Sequence, residues 1–143
     1  MAGKGKPSQV NLKRATSSAY YALYHCLARS GANLLVGGDG ASKSKHAWAQ
    51  VYRALEHNFA KNACKDAKIV TQFPKAIEDF ANTFVAMQTK RHAADYDPTS
   101  KFLKSEVMTD IATATRAIAD FDAAPIKDRR AFCAYILFKK RVA

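Results

Sequence analysis

The stretch "ATSSAYYALYHCLA", Ala15 to Ala28, contains no Lys, Arg, Asp or Glu, and the spacing of its apolar residues predicts a helix. One face of this helix carries Leu12, Ala19, Leu23 and Cys26, and the opposite face carries Arg14, Ser18, Tyr21 and His25. A surface helix normally places charged side chains on its outer face, whereas a helix without charges is normally covered on all sides. We therefore expect this helix to be central, with a dimer contact or a polar cleft on its second side.

The rest of the chain predicts four more helices and no strand, because no segment alternates with the period of two that a strand requires. Ser30 and Gly31 are a helix-ending pair, and Pro98 disfavours helix at the residue before it, while Ser100 suits the cap of the next helix. The predicted helices span residues 11–29, 42 or 44 to 59, 74–95, 101–122 and 127–139, with connections at 37–40 and 61–71. The prediction is an all-α bundle of about five helices that forms one domain over residues 1–143, with residues 1–10 flexible.

The third helix has one continuous apolar stripe, formed by Phe73, Ile77, Phe80, Phe84 and Met87. The next step along this stripe is Arg91, and Asp95 lies four residues further, at the spacing of a helical ion pair. One interpretation is a structural ion pair that ends the core. The other is an arginine that binds a phosphate at the mouth of a cleft, beside His92 and Tyr96, because a guanidinium donates two parallel hydrogen bonds. The buried stripe of the fourth helix is predicted at Leu103, Val107, Ile111, Ala114, Ile118 and Phe121.

The chain is strongly basic, with 23 Lys and Arg against 12 Asp and Glu and a formal net charge of +11. This excess favours a polyanionic partner such as RNA, DNA or a nucleotide, although a basic chain can also be merely soluble. The cations expected to contribute without sequence preference are Lys4, Lys6, Lys13, Arg14, Lys139, Lys140 and Arg141. The tyrosines at positions 20, 21 and 24 suit a core or an interface, and they also suit stacking on bases.

Several kinds of site are excluded by the residues that they need. The stretch "GDGASKS", residues 38–44, lacks the second glycine and the preceding strand of a phosphate-binding loop. The four histidines form no i, i+4 pair and join no acidic or cysteine cluster, so neither a metal site nor a cofactor is expected. The cysteines form no CxxC pair, no apolar stretch reaches the roughly 20 residues of a membrane span, and residues 1–10 lack an apolar signal segment. We expect a cytoplasmic protein without a membrane partner.

Two stretches of this sequence resemble the HEPN family. The first, "KRATSSAYYALYHCLA", residues 13–28, resembles the first helix of the family, whose pattern is approximately R-A-x-S-x-A-Y-Y-A-x-x-H. The second, "MQTKRHAADYDP", residues 87–98, resembles a later signature of one branch, approximately L-Q-x-x-R-x-x-A-D-Y. The matching residues are Arg14, Ala15, Ser17, Ala19, Tyr20, Tyr21, Ala22, His25, Gln88, Arg91, Ala94, Asp95 and Tyr96. Their order and separation agree with the family, and the likeness extends over most of the chain.

The resemblance implies an all-α bundle, usually a homodimer, that acts in prokaryotic defence or in a toxin–antitoxin pair. Many members of the family are metal-independent ribonucleases that use an Arg followed, after four to six residues, by a His. In this chain His92 follows Arg91 directly, so the usual pair is absent and the resemblance leaves enzymatic activity open. A site across two helices stays open, with Arg91 and Asp95 from the third helix and Tyr21 and His25 from the first.

Such a site has groups that suit RNA cleavage by 2′-OH attack, which requires a base, an acid and a cation. A histidine titrates near neutrality, so His25 suits the base, and Arg91 suits the phosphate. The second imidazole would be His92, if it turns inward, or a histidine from a dimer partner. The substrate-binding residues would be Arg14, Tyr21, Asp95 and Tyr96. Two functions follow: a HEPN-like protein that binds RNA or a nucleotide, as a toxin-type ribonuclease with an antitoxin partner or as an inactive relative, and a non-enzymatic dimeric interaction module.

Overall fold

Residues 8–139 are described by a computed structural model, and they form seven helices and no strand. The helices are α1 (Gln9–Leu35), α2 (Lys45–Arg53), α3 (His57–Lys65), α4 (Ala67–Val70), α5 (Lys75–Tyr96), α6 (Lys104–Ala123) and α7 (Ile126–Leu137). The all-α fold class is therefore confirmed for this part of the chain, with seven helices where about five were predicted. No helix within these residues is long and apolar enough to cross a lipid bilayer. The candidate polyanion contacts Lys4, Lys6, Lys140 and Arg141 lie outside the described residues.

α1 lies at the centre of the fold, as its uncharged sequence predicts. Its 27 residues extend over about 40 Å and pack against α2, α5, α6 and α7. Tyr20 of α1 contacts Phe84 in the middle of α5. Lys13, nearer the start of α1, lies beside Asp97, just past the end of α5, so these two helices are antiparallel. The tyrosines of α1 are buried or half-buried within one chain, but Ser18, Ala22 and His25 stay exposed, so the expectation that this helix is covered on all sides is wrong along that stripe.

The core between these helices consists of aromatic and branched side chains. The largest fully buried ones belong to Tyr20, Phe80, Phe84, Phe121, Phe132, Leu23, Leu27, Ile77 and Ile136. The apolar stripe predicted for the third helix is confirmed, since four of its five members are buried in α5 and Phe73 packs against the core just before it. Arg91 and Asp95 continue this stripe at the end of α5, so the core leads directly into a polar region.

Gly31 does not end the first helix, which continues to Leu35, so the predicted end at Ser30 and Gly31 is wrong. A Cβ atom at Gly31 would lie 2.8 Å from Leu137 Cδ1 of α7. The glycine is therefore required where α7 approaches α1 closely. The chain instead leaves the helix before Gly37, whose φ of 152° favours glycine.

The second predicted helix, to residue 59, is divided in the structure between α2 and α3. Leu55 lies in the break with its side chain buried, and its carbonyl accepts a hydrogen bond of 2.6 Å from the Tyr24 hydroxyl. This tertiary bond occupies a carbonyl that a continuous helix would have used internally. α3 and α4 then occupy most of residues 61–71, so the connection predicted there is mainly helical.

α6 begins at Lys104, later than the predicted residue 101. Ser100 does not cap it, because the Ser100 hydroxyl donates to two carbonyls at the end of α5. The chain before α6 is held instead by the Gln9 side chain, which donates to the Phe102 carbonyl at 2.9 Å and accepts from the Phe102 N–H at 2.8 Å. The first turn of α1 therefore fixes the loop between α5 and α6.

The buried residues of α6 and of Leu103 before it differ from the prediction at three positions. The predicted residues that are buried are Val107, Ala114 and Phe121. Leu103 and Ile111 are 61% and 36% exposed, so their predicted burial is wrong, and Ala117 is buried although it was not predicted. Ile118, the remaining residue of the predicted stripe, is half-buried against the core.

We expect Gly31→Val to lower the free energy of unfolding by about 1–3 kcal/mol, because the added side chain overlaps Leu137 in a packed interface. The measurement is urea unfolding followed by circular dichroism. Gly38→Val is the matched control, since a Cβ atom at Gly38 meets no atom within 4 Å. Equal urea midpoints for the two variants would show that the contact between α1 and α7 does not require glycine.

Candidate functional site

Arg91 is enclosed by aromatic rings where α5 lies against α1. Its side chain is 14% exposed, and its Nη2 donates a hydrogen bond of 2.6 Å to the Tyr21 hydroxyl. Its Cζ lies 5.2, 5.6 and 5.7 Å from the ring centroids of Tyr21, Tyr20 and Tyr96, within the range of cation–π attraction. Asp95 Oδ2 lies 2.9 Å from Arg91 Nε. The predicted adjacency of Arg91, Asp95 and Tyr21 is therefore confirmed.

Two buried polar atoms at this end of α5, Arg91 Nε and Gln88 Oε1, lack a hydrogen-bond partner. Arg91 Nε and Asp95 Oδ2 form an ion pair by distance, but the N–H is not directed at the oxygen, so the contact is electrostatic. A buried polar atom without any partner costs about 1–3 kcal/mol, and of the two atoms this applies to Gln88 Oε1, since the Asp95 carboxylate offsets the charge at Arg91 Nε. Arg91 Nη1 makes no hydrogen bond within residues 8–139 and keeps some contact with solvent.

His57, the first residue of α3, joins the site from the opposite side. Its Nδ1 lies within hydrogen-bond distance of the Tyr20 hydroxyl, and its ring stacks on Tyr24 with centroids 4.3 Å apart. The bond from Tyr24 to the Leu55 carbonyl fixes the chain two residues earlier. The break between α2 and α3 therefore positions His57 against α1.

Tyr21 is the centre of the resulting arrangement. Its ring centroid lies 6.0 Å from that of His25 and 5.9 Å from that of His57. Its hydroxyl accepts from Arg91, so two imidazoles and one guanidinium surround a single side chain. The Tyr21 cluster, as it is called below, consists of Tyr20, Tyr21, Tyr24, His25, His57 and Arg91.

The protonation states within the Tyr21 cluster follow from burial and from the charge of Arg91. Burial, and after it the positive charge of Arg91, lower the pKa of His57 below its ordinary value near 6.5. The neutral imidazole is therefore the form present near pH 7. In the tautomer whose Nδ1–H donates to Tyr20, the Nε2 atom accepts protons. Burial also raises the pKa of Tyr20 and of Tyr24, so both hydroxyls stay protonated.

His25 is exposed and is held by aromatic residues of α2. Its Nδ1 lies 2.7 Å from the Tyr52 hydroxyl, and the Tyr52 ring stacks on Trp48 with centroids 5.2 Å apart. Trp48 Nε1 donates to Asn33 Oδ1 of α1 at 2.8 Å, which links α2 back to α1. One ring nitrogen of His25 is thus fixed by Tyr52, and the other is free of that contact.

A shallow groove of about 610 Å³ lies beside the Tyr21 cluster, between α1 and the end of α5. The α1 groove, as it is called below, is lined by Val10, Lys13, Arg14, Ser17, Ser18, Tyr21, Ala94 and Asp95. Arg14 is exposed there, so three of the four predicted substrate-binding residues, Arg14, Tyr21 and Asp95, lie on one surface. The groove therefore presents two cations beside the polar cluster.

His92 and Tyr96 lie outside the Tyr21 cluster, at the end of α5. His92 is exposed, and among the described residues its aromatic contact is with Tyr96, whose ring centroid lies 4.9 Å away. Tyr96 is 63% exposed and also lies over the Arg91 guanidinium. The structure thus does not bring His92 to Tyr21 or His25, whereas His57, which sequence reasoning missed, is brought there.

The side chains around Tyr21 are of the types that suit proton transfer, by imidazole, and anion binding, by guanidinium.

The three cysteines are not activated thiols. Burial raises the pKa of Cys26, Cys64 and Cys133 to about 12, so these thiols stay protonated at neutral pH. Within residues 8–139, no three His, Cys, Asp or Glu side chains are grouped so that they could hold a metal ion.

We expect acid to destabilise the fold partly through His57. The unfolded chain takes up a proton at this residue near pH 6.5, whereas the folded chain does so only at lower pH. The contribution of neutral His57 is therefore present above about pH 6.5 and is lost as the pH falls from there through the folded-state pKa. In His57→Gln, the melting temperature should fall less between about pH 7.5 and pH 5.5 than in the unaltered protein.

The matched control for this prediction is His92→Gln, since His92 is exposed at the end of α5. Its melting temperature should follow the pH dependence of the unaltered protein. The same pH dependence in His57→Gln and in the unaltered protein would contradict a lowered pKa at His57.

The chain matches none of the protein-family models, curated protein sequences or solved structures with which it was compared. The HEPN resemblance therefore rests on the two quoted stretches of sequence. The Tyr21 cluster and the α1 groove are the features from which a function can be inferred.

Proposed function

We propose that this chain is a HEPN-like protein that binds RNA in the α1 groove and cleaves it without a metal ion at the Tyr21 cluster. The observation that carries the proposal is the meeting of Arg91, His25 and His57 around Tyr21. A guanidinium and two imidazoles are the groups needed to bind a phosphate, accept a proton and donate a proton. The net charge of +11 favours a polyanionic substrate.

Arg91 is suited to hold the phosphate. Tyr21 and Asp95 fix its guanidinium from two directions, while Nη1 stays accessible. A fixed guanidinium does not have to reorganise when negative charge develops on the phosphorus oxygens, and this makes its stabilisation of the transition state effective. Lys13 and Arg14 line the neighbouring groove, where the adjoining phosphates of a strand would lie.

The two histidines are suited to the proton transfers. In this mechanism neutral His57, in the tautomer whose hydrogen is on Nδ1, accepts the proton of the RNA 2′-hydroxyl at Nε2, and the 2′-oxygen attacks the adjacent phosphorus. The bond from phosphorus to the 5′-oxygen breaks, and His25 donates a proton to that oxygen. The products are a 2′,3′-cyclic phosphate and a 5′-hydroxyl. His57 thus takes the role of base that the sequence suggested for His25.

A second candidate function is a non-enzymatic interaction module, and one observation favours it. Arg91 is already engaged by Tyr21 and Asp95 and is covered by three aromatic rings, as a purely structural arginine would be. In that case the α1 groove binds no substrate, and the cluster only joins α1 to α5. The prediction for Arg91 below separates the two functions.

The wider setting is also part of the proposal and is taken from the HEPN resemblance. It comprises a cytoplasmic location, a role as a toxin-type ribonuclease, and a partner antitoxin protein that restrains it.

We expect Arg91→Ala to reduce RNA cleavage about 10²- to 10³-fold, because the phosphate loses its fixed cation. Most of the bulk RNA binding should remain, since the other cations supply it without sequence preference. Arg91→Lys should restore little activity, because an ammonium lacks the planar fork. The measurement is cleavage of total RNA on a gel, with and without a chelator, together with binding at several salt concentrations.

Arg116→Ala is the matched control, since Arg116 forms an exposed ion pair on α6 with its side chain 84% exposed. It should leave cleavage unchanged and lower non-specific affinity only slightly. If Arg91→Ala keeps the cleavage and binding of the unaltered protein but melts at a lower temperature, the arginine is structural and the interaction module is favoured. If the unaltered protein neither binds nor cuts RNA at low salt, the proposed function is wrong.

We also expect a homodimer in solution. The tyrosines of α1 are covered within the chain, but α6 and the residue before it expose Leu103, Met108 and Ile111, which are 61%, 59% and 36% exposed. A second copy would remove this apolar surface from water. Light scattering should give twice the 15.7 kDa of one chain, and Met108→Glu should lower this value. A monomeric mass for the unaltered protein at micromolar concentration would contradict the expectation.

A further inference from the structure

Two exposed aromatic side chains lie together at the end of α5 and have no role in the proton transfers. Tyr96 has the highest exposure among the large hydrophobic residues of 8–139, at 63%. The ring of His92, which is also exposed, lies against it with centroids 4.9 Å apart. Removing an exposed tyrosine ring from water is favourable in free energy. A flat ligand that covers the Tyr96 ring would therefore gain this free energy on binding.

The position of Tyr96 relative to Arg91 indicates what kind of ligand this is. The Arg91 Cζ lies 5.7 Å from the Tyr96 ring centroid, and Arg91 is the residue to which the proposed function assigns a phosphate. The distance between a group stacked on Tyr96 and a phosphate bound to Arg91 is therefore about the length of one nucleotide. Ala94 and Asp95, which precede Tyr96 directly in the chain, line the α1 groove.

We propose that Tyr96 and His92 form a stacking site for one unpaired nucleobase, and that the RNA bound by this protein is therefore single-stranded. A base inside a duplex is already stacked on its neighbours and paired, so it cannot be splayed onto a side chain. An unpaired base can, and stacking on an aromatic ring is tolerant of sequence because every base has a π-face. This inference rests on the proposed RNA-binding function, and it assigns His92 to the substrate base instead of to proton transfer.

The test measures fluorescence anisotropy at low salt with labelled RNA of about ten nucleotides. Three probes are used: a single strand, the matching duplex, and a single strand that lacks its bases but keeps its phosphates. The unaltered protein should bind the base-bearing single strand more tightly than either other probe. Tyr96→Ala should weaken binding of that strand about 5- to 100-fold and leave the abasic strand unchanged.

Variants of the same residue separate stacking from support of Arg91. Tyr96→Phe should bind as the unaltered protein does, because it keeps the ring. Tyr96→Leu should lose affinity as Tyr96→Ala does, because it covers the guanidinium without offering an aromatic face. Phe138→Ala is the matched control, since Phe138 is an exposed aromatic at the end of α7, 54% exposed, and its removal should change no affinity.

The outcomes distinguish this inference from the function on which it rests. If the unaltered protein binds RNA but Tyr96→Ala and Tyr96→Leu keep its affinity for the single strand, the stacking site is wrong and RNA binding stands. If Tyr96→Ala weakens all three probes equally, the ring acts only by holding Arg91, and the stacking site is again wrong. If the unaltered protein binds none of the probes at low salt, both proposals fail together.

Discussion

Because α1 has no charged side chain between Ala15 and Ala28, most of this stretch packs against the rest of the chain, and only Ser18, Ala22 and His25 within it stay exposed. Its three tyrosines add a second requirement, since a buried hydroxyl needs a hydrogen-bond partner. Each hydroxyl finds its partner in a different part of the chain: Tyr20 at His57, Tyr21 at Arg91, and Tyr24 at the Leu55 carbonyl. Covering one uncharged helix therefore gathers the imidazole and the guanidinium that form the candidate site.

Those parts of the fold that depend on local periodicity could be predicted from the sequence. The apolar stripe of α5 repeats at helical spacing, so its burial follows from sequence alone, and Arg91 and Asp95 follow as its polar continuation. The central position of α1 follows from the same kind of argument. The contact between Tyr21 and Arg91 could be predicted because helical periodicity shows on which face of its helix each of the two residues lies.

Those parts that depend on tertiary contacts could not be predicted. Nothing between residues 53 and 57 resembles a helix-ending signal, because that segment contains neither glycine nor proline. The break there is stabilised by the Tyr24 hydroxyl and by burial of Leu55, and both interactions exist only after α1 has packed. The second predicted helix, which runs to residue 59, places His57 within a helix, whereas this residue begins α3 beside Tyr20 and Tyr24. At Gly31 the error is the opposite one, because a helix end was predicted where the helix continues. Glycine is typical of a helix end, but here it is needed where α7 packs against α1.

The burial and pairing of the polar side chains at the end of α5 bear on whether they form a ligand-binding site or a structural ion pair. Arg91 Nε is balanced by the Asp95 carboxylate 2.9 Å away, so Gln88 Oε1 is the buried polar atom that lacks any partner among the described residues. Asp95 itself is exposed, and an ion pair that is open to solvent on one side contributes little to stability. The same carboxylate lines the α1 groove with Lys13 and Arg14, so Arg91 lies between the core of the bundle and a groove that carries two further cations. This position is what the proposed phosphate-binding role requires, whereas the contacts of Arg91 with Tyr21 and with three aromatic rings are those that a structural arginine would also make.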